Sequence, residues 1–173
     1  IPSGVRIKYY FEARDINGNR YVSLTKEFDY LNPDYQWRNT QVGPMTIFWH
    51  GFRHSDVVKS AEQAYAAIQE AAAIANLQVV EPFRAVIINN PREATEAFPT
   101  VSNTSLKDGL YGGFAFRDYG VFLIGGIGVD GLIHEGTHIV LGQAVDSPFS
   151  KMPAWLNEGL AMYFESSDHG RLA

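Results

Sequence analysis

The chain has no cysteine among its 173 residues, which excludes disulfides and thiolate metal sites but leaves its compartment open. Basic residues are in the minority, 14 Lys and Arg against 19 Asp and Glu, for a formal charge of -5. With no basic stripe interleaved with aromatics, a nucleic-acid partner is not expected, and an anionic membrane surface is disfavoured on the same ground. No apolar run approaches the roughly 18 residues of a spanning helix, so no transmembrane segment is expected. The start, Ile1-Pro2-Ser3, lacks signal-peptide character and does not begin with Met, which predicts a mature form or a piece of a longer protein. Long repeats and low-complexity tracts are missing too. What remains is 46% hydrophobic and 13% aromatic, the make-up of a folded domain with a sizeable core, alone or with a small appendage.

Val5 to Ala13 and Arg20 to Phe28 are rich in β-formers and flank the turn signal Asp15-Ile16-Asn17-Gly18-Asn19, so a β-hairpin is predicted. Two strands alone are marginal in water, so residues 1 to about 40 are expected to join a larger β-structure or pack on the downstream chain. A linker carrying Trp37 runs from Asn32-Pro33 to Gly43-Pro44, and Met45 to Trp49 reads as a buried strand. Ser55 fits an N-cap, and Val57, Ala61, Ala64, Tyr65, Ile68, Ala72 and Ala75 recur at helical spacing down to Leu77. Arg84 to Ile88 is a second strand, and a short helix comes next through Glu93 to Phe98. Residues 99 to 110 read as a surface loop. Tyr111 to Phe116 and Tyr119 to Ile124 read as strands joined at Arg117-Asp118; the glycines of the first suit an edge that accepts an extended peptide. Interleaved helices and strands make the fold class α+β.

Val129 to Leu141 contains His134-Glu135-Gly136-Thr137-His138. On a helix the two histidines stand one turn apart on one face, and both imidazoles can reach one ion. Glu135 lies beside that face, where its carboxylate can hold a water at the ion without being a ligand. Zinc usually takes three protein ligands and leaves a position for water, so a third is needed. Glu158, in the apolar-periodic segment Trp155 to Ala161, is the best candidate; Glu165 lies on nearly the same face and is the alternative, with a surface acid as its simpler role. Two neutral imidazoles and one carboxylate leave the ion a net charge of about +1, still a Lewis acid.

Other patterns compete with this one. An amphipathic helix burying Leu132, Ile133, Ile139 and Val140 explains neither the shared face of the histidines nor the acid downstream. Gly126-Ile127-Gly128-Val129-Asp130-Gly131 matches a dinucleotide-binding fingerprint, but Asp146 to Pro153 is loop-like where a second parallel strand is required, so the glycines read as a strand-to-helix turn. His50 and His54 also stand four apart; Gly51 replaces the glutamate, and a solvent-facing pair is expected. His169 has no assigned role. Gly136 and Gly142 each cost a helix about 1 kcal/mol relative to Ala, which close packing can offset.

HEGTH followed by PAWLNEGLAMYFE resembles the gluzincin metallopeptidases, in particular bacterial peptidase MA-like families, whose second helix reads roughly P-x-W-L-x-E-G-L-A-x-Y. The likeness is dense from Tyr111 to Glu165. It implies a zincin-like domain with a small sheet, an active-site helix and a glutamate helix, a zinc cofactor, and a peptide or protein substrate. Residue by residue, it makes His134, His138 and Glu158 the zinc ligands and Glu135 the general base. Tyr163 resembles family tyrosines, and a phenol there can stabilise an oxyanion, with core packing as the competing role. The family's edge strand matches Gly112 to Phe116, which makes Gly113, Phe114 and Ala115 substrate-binding. The aminopeptidase branch carries an amine-gripping glutamate on that strand where this chain has Phe114 and Ala115, so the likeness favours an endopeptidase. It also implies that residues 1–42 end an immunoglobulin-like module, that residues 43–173 form a peptidase domain continued by further helices in such proteins, and a bacterial extracellular or cell-envelope setting. From another class, a catalytically silent zinc-containing binding module of a surface or secreted protein is the alternative. Neither substrate nor oligomeric state is readable.

Overall fold

The computed structural model describes residues 1–98, 112–145 and 152–165. The expected hairpin is present as a two-step ribbon. Strand β1 (Arg6–Tyr9) pairs antiparallel with β4 (Lys26–Asp29), and β2 (Glu12–Arg14) with β3 (Arg20–Val22). Between the steps Ser23 N donates to Phe11 O, and Phe11 N donates to Ser23 Oγ. At the tip the Asp15 carboxylate accepts from the backbone N–H of Asn17 and Asn19, closing the turn as its sequence demands. The ribbon is largely solvent-exposed, with Ile16 wholly so and Phe11 66% exposed.

A five-stranded sheet in the order β5-β6-β7-β9-β8 carries the rest. Strands β6 (Met45–Trp49), β7 (Phe83–Ile88) and β9 (Val121–Gly125) run parallel to one another, while β5 (Arg38–Val42) and β8 (Gly113–Phe116) are antiparallel edges. The three inner strands are nearly continuous apolar runs because both sheet faces are covered. Strand β5 corrects the reading of 32–44 as linker: RNTQV has little apolar content because it forms an edge, and the expected 42/43 boundary falls in the turn to β6.

One face carries helices α1 (His54–Ile74), α3 (Val129–Ala144) and α4 (Ala154–Glu165). Met45, Ile47, Trp49, Ala85, Ile87, Phe122 and Ile124 meet Val57, Ala61, Ala64 and Ile68 of α1 and Leu132, Ile139 and Val140 of α3 there. The small residues of α1 let α3 come close: a Cβ at Gly136 would collide with Ile68 Cδ1, so the glycine's helix penalty is offset by contact. Ser55 is not the N-cap of α1. Arg53 holds that position, and Asp56 pairs with the Arg53 guanidinium at 2.9 Å.

The other face is covered by α2 (Pro91–Ala97), N-capped by Asn90, together with Val5, Leu31 and Trp37 of the N-terminal segment. The two ends of the N-terminal segment, at Gly4 and Val5 and at Leu31 to Trp37, therefore pack on the downstream sheet, while the ribbon between them stays exposed. Gly4, at φ 84, lies so close to Val86 and Val121 that a Cβ would overlap both. Instead of facing solvent with His54, His50 is buried. Its Nε2 meets the Glu93 carboxylate at 2.9 Å, and its ring stacks on Tyr35 at 4.2 Å. The overlooked signal was apolar Met45 to Trp49 running directly into His50. The loop expected over 99–110, most of that over 146–153, and His169 lie outside the described residues.

Candidate metal centre

The site sits where β9 hands the chain to α3. Gly126 N donates to Ile88 O, and Gly126 takes φ 81, a left-handed conformation that suits glycine, so the G-x-G run is a strand-to-helix turn. Among the described residues α3 leads to α4, not to another parallel strand, and the neighbour of β9 on its outer side is antiparallel β8. A dinucleotide-binding unit has no counterpart there.

Leu132, Ile139 and Val140 bury one face of α3 in the core and turn His134 and His138 toward α4. The two rings lie edge to face with centroids 4.7 Å apart. Glu158 reaches across from α4, its Oε2 3.5 Å from His134 Nε2 and 3.6 Å from His138 Nε2. One ligand atom from each of the three residues falls within 4.8 Å of the others. Ligands about 2.0–2.1 Å from a tetrahedral zinc stand roughly 3.3 Å apart, so this triangle needs little closure to hold one.

Burial, the largest influence on His138, pushes its pKa down and keeps the ring neutral, with a lone pair for a cation; Glu158 pulls the other way. Behind the ring, His138 Nδ1 and Asn157 Oδ1 are both buried without a hydrogen bond of full geometry. Asn157 still acts on His138 as a polar neighbour that favours a ring proton. A donor N–H and an acceptor carbonyl are the kind of pair that orients a metal-ligating imidazole.

Glu165, partly exposed, does more than face solvent: its Oε2 lies 2.9 Å from His134 Nδ1, the nitrogen facing away from Glu158. Its spacing two turns beyond Glu158 already put it on the right face, and that was the signal for this role. Glu135 is 7% exposed, with its side chain against β8. A Cβ at Gly113 would lie 2.6 Å from Glu135 Cγ and 2.8 Å from both Glu135 Oε1 and the Leu123 carbonyl oxygen. Glycine at 113 is what lets the carboxylate enter. Burial first, then the charges of Glu158 and Glu165, raise the Glu135 pKa to about 8. Repulsion of that kind marks a place for positive charge.

Gly112, Gly113, Gly131, His134, Glu135, Glu158 and Glu165 line a cleft of about 260 Å³. Gly113 is thus at the site, on an edge strand. Phe114 packs its ring on Phe116 at 4.9 Å, and half-buried Ala115 joins the helix-side core; neither lines the cleft. Tyr163 is 37% exposed on α4 with its ring 5.2 Å from Phe164, and it too is outside the cleft lining.

No curated protein matches the chain. A family model, described as the peptidase MA superfamily, matches residues 61–172. That span takes in the last two thirds of α1, the edge strand β8, the HEGTH helix and the glutamate helix. On a match covering well over half of its length, the chain belongs to the peptidase MA superfamily.

Proposed function

We propose that the protein is a zinc-dependent peptidase of the gluzincin type, with an endopeptidase mode of attack. The observation that carries the reading is the meeting of His134, His138 and Glu158 beside a buried Glu135 that is wedged against an edge strand. His134 and His138 through Nε2 and Glu158 through Oε2 would hold the ion. A bound zinc supplies Lewis acidity to an attacking water and to the scissile carbonyl. Glu135 accepts the water's proton at its carboxylate and delivers it to the leaving amine. Its high proton affinity suits both halves of that transfer, and nearby positive charge draws it back toward the ionised form needed for the first. Glu165 and Asn157 keep the two imidazoles turned toward the ion. Unpaired among the described residues, the outer edge of β8 offers backbone groups to an extended peptide, with Gly113 placing that peptide next to Glu135. No amine-gripping carboxylate stands at Phe114 or Ala115, which supports internal cleavage.

The test combines metal analysis with cleavage of an unstructured protein such as casein. About one zinc per chain, cleavage abolished by a chelator and restored by zinc, and no cleavage by metal-loaded Glu135→Gln are the expected results. A protein that binds zinc, unfolds on chelation and cleaves nothing would instead be the silent binding module.

A further inference from the structure

Alternate residues of β8 face the helix layer: Gly113 lies under Glu135, and Ala115 in the core below α3. Arg117, the first residue past the strand, continues that side. Its aliphatic stem lies along α3 at Gly142, where a Cβ would stand 2.8 Å from Arg117 Cδ and 3.2 Å from Cγ. The second helical glycine is therefore the slot in which this side chain rests. Arg117 is exposed and makes no ion pair among the described residues; Asp118 beside it is exposed as well. Every charged or titratable side chain lining the cleft is an acid or a histidine. Among the described residues, Arg117 stands at the end of β8 with its stem at Gly142, one turn along α3 from His138.

We propose that Arg117 selects an acidic side chain in the substrate. This rests on the peptidase reading above, with β8 as the edge on which the substrate lies. At about 3.3 Å per residue, a peptide laid along β8 reaches Arg117 about four residues from the one opposite Gly113. Against a cleft walled by Glu135, Glu158 and Glu165, a guanidinium at that distance is what makes an acidic residue welcome. The competing role is structural. The last turn of α3 has no basic residue, and Arg117 at Gly142 could serve only its C-terminal dipole.

Internally quenched peptides differing only by Glu, Gln or Lys at each position near the cleaved bond separate the two. At one position the wild type should favour Glu over Gln in kcat/KM by about three- to tenfold, the range of one charge-assisted contact at a partly exposed site. Arg117→Met, which keeps the stem, should bring that ratio near one; Arg117→Glu should invert it in favour of Lys, and Gly142→Ala, which displaces the stem, should lower it. A lowered melting temperature with the Glu to Gln ratio unchanged would assign Arg117 to α3 and overturn the proposal. Peptide binding to zinc-loaded Glu135→Gln, with and without Arg117→Met, repeats the comparison without turnover. A Glu preference in binding that Arg117→Met removes, with no cleavage by the wild type, would sink the peptidase reading and leave this one standing. Cleavage without preference would sink this one alone.

Discussion

Glu135, the general base of the proposed mechanism, has its place because something is missing, the side chain of residue 113. Gly113→Ala puts a methyl group within 2.8 Å of both a carboxylate oxygen and the backbone oxygen of Leu123, which cannot move aside. We expect about 1–3 kcal/mol lost from stability in a denaturant titration and a large fall in turnover, with zinc still bound. Glu165→Ala should weaken zinc affinity about 10- to 100-fold in a competition titration, because His134 loses the acceptor that orients it. The metal-free protein should carry a pH signature. With its pKa raised to about 8, Glu135 binds more protons folded than unfolded between its ordinary value near 4.5 and that figure, so stability falls as pH rises through this window. His138, shifted down, works in the opposite sense below its ordinary 6.5. Melting temperatures of chelated protein should therefore decline from about pH 6.5 to 8, and Glu135→Gln should flatten the decline. An unchanged slope in that variant would remove Glu135 as its source.

Helix α3 was readable in advance because its signals are local: two histidines one turn apart, an apolar stripe at Leu132, Ile139 and Val140, and glycines before it. Helix α4 was readable for the same reason, and with it Glu158. Partnerships between elements were not. Nothing near Gly113 names Glu135 as the reason for that glycine, and nothing near His50 names Glu93, because both contacts join segments far apart in sequence. Strand β5 escaped because an edge strand with one solvated side needs little apolar content. The α1–α3 contact offers a test at this scale. Gly136→Ala gains about 1 kcal/mol of helix propensity, yet must push the end of fully buried Ile68 out of a filled core. We expect the clash to win, for a net loss of about 1–2 kcal/mol by thermal melting.

Across the whole molecule, the sheet divides the labour. Its helix-covered face and the β8 edge hold the His134, His138 and Glu158 cluster and Glu135, while the opposite face carries α2 and the N-terminal segment. The ribbon beyond Gly4 and Val5 adds little to either core: β2 and β3 are exposed throughout, and Ile16 at the tip is fully so. Limited proteolysis should nick the chain near Ile16 first and leave zinc binding and peptide cleavage intact; loss of either on nicking would show that the ribbon supports the site. The contact at Gly113 reaches further than sterics. Strand and carboxylate touch, so they form one mechanical part, and on the proposed mechanism a peptide that grips the sheet margin would be gauged directly against the group that acts on it. Alignment of that reaction would thereby be inherited from the sheet itself.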